Sequence, residues 1–279
     1  MKFKIVSDSS SNIREFADVP FESVPLKIIT EEKEYVDDAA LDVTAMVEDL
    51  RTVKGKTGTS CPNVSEYLDA FEGAENVFAV TITSNLSGSC AAAIQAAAEY
   101  EETHAGAHAY VVDSLSTGGE MRLLVEHLRD RILAGDTFEQ VRASIQKYQK
   151  HTHLLFSLQS LANLARNGRV SPAVAKIAGV LGIRIVGTAS EEGTLQPLHK
   201  CRGEKKMLDT MVEEMLGRGF KGGKVRISHC LNLESAQELK TRLLAKFPTS
   251  DISIEPSTGL CSFYAERGSV MVGFEDSLA

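Results

Sequence analysis

The sequence predicts an α/β fold, on three observations. Short apolar runs alternate with segments of helical spacing almost throughout. Several apolar runs end in a polar turn before the next helix, as residues 76–82 do at Ser84-Asn85-Leu86-Ser87-Gly88-Ser89. Hydrophobic residues make up 43% of the chain but aromatics only 6%, with no Trp, so the core is built mainly of Val, Ile, Leu and Ala.

Residues 3–7 read as a first strand and 24–29 as a second. Residues 42–50 carry helical spacing at Val43, Met46, Val47 and Leu50. Pro62 suits the first turn of a helix to about Phe71, where its fixed φ and missing N–H cost nothing. Residues 76–82 and 109–113 are strands, each followed by a polar turn and a helix, the first of these alanine-rich over 91–98. The helix after Gly119 buries Met121, Leu124, Val125, Leu128 and Leu133. Thr137-x-x-Gln140 reads as a capping box opening a helix through Tyr148. Residues 157–165 look helical, with Asn167-Gly168 as the stop, and 173–180 form a small-residue helix. After a strand over 183–186, Glu191-Glu192-Gly193 turns the chain back. Amphipathic helices over 204–216 and 234–246 flank a strand at 225–229, and strands at 252–255 and 270–274 complete a second sheet. At 279 residues the chain exceeds the usual size of one core. A boundary near residue 152 divides it into two α/β domains, 1–152 and 153–279.

Composition narrows the partners. A net charge of −8 opposes binding to nucleic acid or an anionic membrane surface, which requires clustered Lys and Arg. No apolar run approaches the roughly 20 residues of a membrane span. The N-terminus enters a strand directly, without a signal-peptide pattern, so a cytoplasmic location is expected. Five scattered cysteines (Cys61, Cys90, Cys201, Cys230 and Cys261) suit small buried residues in a reducing compartment.

Three familiar signatures fail on context. Gly217-Arg218-Gly219-Phe220-Lys221-Gly222 follows a helix and precedes a strand, the reverse of a dinucleotide site. Ser144-Ile145-Gln146-Lys147 lies within a helix, without companion motifs. Gly55-Lys56-Thr57 lacks the upstream glycine of a phosphate loop. His151 and His153 have no third metal ligand nearby, and no cofactor is expected.

Four segments carry chemistry. Ser84 to Ser89 sets hydroxyls and free N–H groups at a helix start, which is partly positive and accepts anions. No Lys or Arg lies in this turn, which suits a carboxylate better than a triphosphate. Ser7-Asp8-Ser9-Ser10-Ser11 follows the first strand, at the edge where open α/β sheets bind ligands. Thr59 and Ser60 precede a helix start and would form a carboxylate clamp if the fold set them beside Ser84 and Ser87. The fourth segment, residues 161–171, contains Arg166 and Arg169.

Taken in order, these segments resemble the DegV family of bacterial proteins, whose best-understood members are fatty-acid-binding subunits. Ile5-Val6-Ser7-Asp8-Ser9-Ser10-Ser11 is similar to the family's opening, and Thr59-Ser60-Cys61-Pro62 and Ser84 to Ser89 to its two hydroxyl motifs. Val112 to Thr117, Leu161 to Ser171, and Lys200-Cys201-Arg202-Gly203 with Lys205 and Lys206 match three further motifs. The resemblance implies two domains, each a mainly parallel or mixed sheet flanked by helices, enclosing one long-chain fatty acid such as palmitate in an apolar tunnel. It implies a carboxylate held by Thr59, Ser60, Ser84, Ser87 and Gly88, with Asp8, Ser9, Arg169, Lys200, Arg202 and Tyr264 as head-group or partner contacts. It also implies a binding protein that is not itself an enzyme and presents the carboxylate to a separate fatty-acid kinase. Family members often carry a His near the C-terminus, whereas residues 259–268 contain none, leaving Tyr264 or Arg267 in that region.

Two alternatives use the same residues. A serine hydrolase or acyltransferase would take Ser87 or Ser84 as nucleophile, with Asp8 or Asp113 and a histidine, but no G-x-S-x-G elbow is present. A phosphate- or sugar-phosphate-binding domain would use Arg169, Lys200 and Arg202 as charge partners.

Overall fold

The computed structural model describes residues 2–171, 174 and 182–279. Phe3–Asp8 (β1) is buried along its last four residues, as suits a strand covered on both faces. It pairs in parallel with Phe21–Val24 (β2) and Asn76–Thr81 (β6), and β6 pairs in parallel with His108–Asp113 (β7). The sheet order is β2-β1-β6-β7. Parallel pairing brings the C-terminal ends of β1, β6 and β7, at Asp8, Thr81 and Asp113, to one edge.

The single strand expected over 24–29 is two. Pro25, which has no N–H for a ladder, ends β2, and Lys27–Thr30 (β3) joins a separate antiparallel sheet. Its neighbours there, Glu34–Val36 (β4) and Thr57–Ser60 (β5), were not foreseen, because neither segment carries an apolar alternation. Pro62 lies one residue before Asn63, which caps the helix Val64–Phe71 (α2) in a capping box with Glu66.

Val43–Thr52 (α1) forms as expected. Ser89–Thr103 (α3) buries Ala93, Ala96 and Ala97 with Tyr67 and Phe71 of α2. Gly118–Leu133 (α4) packs Met121, Leu124, Val125 and Leu128 with Ile5 and Phe78. Leu133, expected in that stripe, is 53% exposed at the helix end. Phe138–Tyr148 (α5) opens with the capping box of Thr137 and Gln140.

The remaining strands form a six-stranded mixed sheet in the order β10-β9-β8-β13-β11-β12. They are Thr152–Leu158 (β8), Ile183–Ala189 (β9), Leu195–Arg202 (β10), Lys224–His229 (β11), Asp251–Pro256 (β12) and Val270–Glu275 (β13). β8 overturns the helix expected over 157–165. Ser157 and Leu158 complete this strand between β9 and β13, and the helix spans only Ala162–Arg166 (α6). A short, fully buried apolar run has no periodicity to separate strand from helix. Asn167 does end α6, with Gly168 at φ 72°. The helix expected over 173–180 lies outside the described residues, apart from Val174.

Glu204–Gly217 (α7) and Leu233–Lys246 (α8) cover one face of this sheet with Met207, Met211, Leu239 and Leu243. Gly259–Ala265 (α9) is a short helix that the sequence did not reveal. α4 joins the two large sheets. A Cβ on Gly119 would lie 2.2 Å from the Arg226 carbonyl oxygen, and one on Gly273 of β13 would lie 2.0 Å from the Glu120 nitrogen. The helix backbone therefore rests directly on the strands. No described helix is long and apolar enough to cross a membrane.

Candidate functional site

At the C-terminal edge of the parallel sheet, Asp8 ties three segments together. Its carboxylate accepts from the Ile82 N–H at 2.8 Å, the Ser89 hydroxyl at 2.7 Å, the Ser10 hydroxyl at 2.5 Å and the Ser10 N–H at 3.2 Å. Tyr67 and Ser89 share a hydroxyl bond of 2.7 Å, which fixes the start of α3 from below. Burial pushes the Asp8 carboxyl above the usual carboxylate range, opposed by these donors. Asp113 holds the next turn, accepting from the N–H groups of Ser84 and Leu115, each at 3.1 Å.

Above this edge lies a cavity of about 340 Å³, within the range of small-molecule sites. One wall is the face of the mixed sheet, with Leu154, Phe156 and Leu158 of β8 and Met271 of β13. These β8 residues alternate along the strand and so share one face. The lining also takes in Thr59 and Ser60 from β5, Ser87 and Gly88 from the turn before α3, and Tyr264 from α9. Gly88 allows close approach, since a Cβ there would lie 3.2 Å from the Cys61 sulfur.

Among the described lining residues, Arg169 is the one charged side chain. Its Nε donates to the Leu86 carbonyl at 3.2 Å, and another guanidinium nitrogen donates to the Asn167 carbonyl at 2.5 Å. The guanidinium carbon lies 5.9 Å from the Tyr264 ring centroid. Tyr264 bonds Thr59 through its hydroxyl at 2.7 Å, and burial raises its pKa. Burial also pushes the Cys261 thiol up to about 12. The described lining thus offers one cation and several neutral hydroxyls, which matches an amphipathic monoanion.

The fold brings together Thr59, Ser60, Ser87, Gly88, Arg169 and Tyr264 in this lining. Ser84 is not among them; it is exposed, and its N–H serves the Asp113 carboxylate. Asp8 and Ser9 are fully buried beneath the site, where Ser9 accepts from the Leu26 N–H at 3.1 Å. Lys200 and Arg202 are exposed on β10 and do not line the cavity. Sequence reasoning missed Cys61, Thr83, Thr117 and Cys261, which also line it. It also missed Asp37, which accepts from the N–H groups of Gly259 at 2.7 Å and Leu260 at 2.9 Å and thereby anchors the helix carrying Tyr264. No sequence spacing links residues so far apart. No group of three or more His, Cys, Asp or Glu among the described residues is placed to hold a metal.

Comparisons with known proteins agree on one family. A family profile described as uncharacterised protein, DegV family, matches residues 2–276. A DegV domain-containing protein of Streptococcus pneumoniae is 43% identical over 279 residues, covering 99% of each chain. Among solved structures, the Streptococcus pneumoniae fatty acid kinase B3 protein loaded with linoleic acid superposes with a TM-score of 0.97 at 43% identity, covering 99% of both chains. A DegV family protein from Eubacterium eligens loaded with heptadecanoic acid also gives 0.97, at 41% identity, covering 99% of this chain and 100% of its own.

Proposed function

This chain belongs to the DegV family, and on that premise we propose that it binds one long-chain fatty acid in the cytoplasm, without catalysing a reaction itself. The acyl chain lies against Leu154, Phe156, Leu158 and Met271, and the carboxylate meets Thr59, Ser60, Ser87 and Gly88, with Arg169 as its countercharge. The observation that carries this reading is that Arg169 is the one charged side chain among the described lining residues, which are otherwise largely apolar or hydroxyl-bearing. A buried carboxylate requires several donors, and hydroxyls beside a helix start supply them. Each buried methylene adds about 0.8 kcal/mol, so affinity rises with chain length until the cavity is full. Related structures holding linoleic and heptadecanoic acids support this ligand class.

The exposed Gly88 at the clamp leaves the carboxylate open to a second protein. On this reading the protein presents that carboxylate to a separate fatty-acid kinase, which forms an acyl phosphate. A hydrolase would need a histidine beside Ser87, and no histidine is among the described lining residues. A phosphate ester would bring two charges to Arg169, the one cation among the described lining residues.

The test is uptake of fatty acids by delipidated protein, with affinity measured along a saturated series. The expected result is binding that strengthens with chain length to a limit. Protein that takes up none of them overturns the reading.

A further inference from the structure

We infer that Gly187 and Phe156 together set the length of acyl chain that the cavity accepts, a step that rests on the fatty-acid reading above. Phe156 is 3% exposed, lines the cavity, and pairs across the sheet with Gly187 on one side and Met271 on the other. Directly paired residues of an antiparallel ladder point to the same face. Ala189, two residues beyond Gly187 and so on that face, lines the cavity too. Gly187 therefore leaves a gap in the cavity wall, and the Phe156 ring occupies it. A Cβ on Gly187 would lie 2.5 Å from both Cε2 and Cζ of that ring.

Such contact is closer than the two atoms can tolerate, so any side chain at 187 displaces the ring. Met271 blocks its retreat along the sheet, and the open space is the cavity itself. Glycine at 187 thus acts as a positioning residue. It lets Phe156 lie against β9 and keeps that part of the cavity free for the tail. With the ring lifted, the last methylenes of a long chain lose their place. Each one excluded costs roughly fourfold in affinity, the equivalent of about 0.8 kcal/mol.

The experiment measures affinities of Gly187→Ala, Phe156→Leu and the double variant for saturated fatty acids of increasing length. Gly187→Ala is expected to lose the longest chains while keeping shorter ones, so that its optimum moves down. Phe156→Leu removes ring volume, and its optimum moves to longer chains. A Cβ at 187 also approaches the Gln196 carbonyl oxygen at 2.7 Å, so general disruption of β9 is the competing cause. The double variant separates the two, because removing the ring restores long-chain binding only if the ring was the obstacle. If Gly187→Ala does not fold, the upward shift in Phe156→Leu still carries the test. Unchanged length optima in the folded variants overturn the inference, as does a double variant no better than Gly187→Ala. Absence of uptake by the unaltered protein overturns the fatty-acid reading instead.

Discussion

On the proposed reading, the carboxylate clamp rests on single hydroxyls, those of Thr59 and Ser87. Thr59 is oriented by its 2.7 Å bond to Tyr264, and the Ser87 hydroxyl accepts from the Ser89 N–H at 3.3 Å. Both line the cavity, and a hydroxyl has bonding capacity beyond the single bond each of these makes. Removing a donor to a buried charged group costs about 1–3 kcal/mol. Thr59→Ala and Ser87→Ala are each expected to weaken fatty-acid binding by about that amount, measured by titration of delipidated protein. Unchanged affinity in both variants removes the clamp from the reading. Both lie in hydroxyl motifs that the sequence singles out, Ser87 just before α3 and Thr59 in β5 rather than at a helix start. Ser84 lies in the same motif as Ser87 yet serves Asp113, since a capping pattern does not say which hydroxyl faces a cavity.

At the scale of elements, α4 carries a buried acid that titrates with folding. Glu120, 7% exposed, accepts from the Thr152 hydroxyl of β8 at 2.9 Å. Burial raises its pKa to about 7, from an ordinary value of 4.5. Between these values the folded chain holds a proton that the unfolded chain has released. Its contribution to stability is therefore complete below about pH 4.5 and is lost as the pH rises through about 7. The loss amounts to about 3 kcal/mol at about 1.4 kcal/mol per unit. Glu120→Gln stays neutral, so its stability relative to the unaltered protein is expected to rise across that window, as read from denaturant midpoints. A constant difference across that window excludes Glu120 as the titrating group. Elements also show where sequence reading fails. The α5 capping box was legible because both partners lie within four residues. β8 was not, because Leu154 to Leu158 reads as an apolar run until β9 and β13 are placed on either side.

For the whole molecule, α4 is the joint between the sheets, and its closest contacts are between backbones. Gly273 is the tightest point, with its would-be Cβ 2.0 Å from the Glu120 nitrogen and the Gly119 carbonyl carbon. Gly273→Ala forces helix and strand apart, and overpacking of this kind costs about 1–3 kcal/mol or more. The expected outcome is a lower urea midpoint with an unchanged slope, since the surface exposed on unfolding stays the same. A midpoint equal to that of the unaltered chain refutes direct seating of α4 on β13. Because the cavity is lined by strands of the mixed sheet and by the turns that follow β6 and β7 of the parallel one, loosening this joint should also weaken fatty-acid binding.

The sequence by itself determined the α/β class, most helices, and the local hydroxyl motifs at Thr59-Ser60 and Ser87-Gly88. Each of these is written in periodicity or in neighbours a few residues apart. Only the tertiary structure decided that Thr59 meets Tyr264, that Arg169 is the lone charge in the described lining, and that Phe156 rests on Gly187. Those pairings join segments tens to hundreds of residues apart. They follow from strand order and burial, which no local pattern encodes.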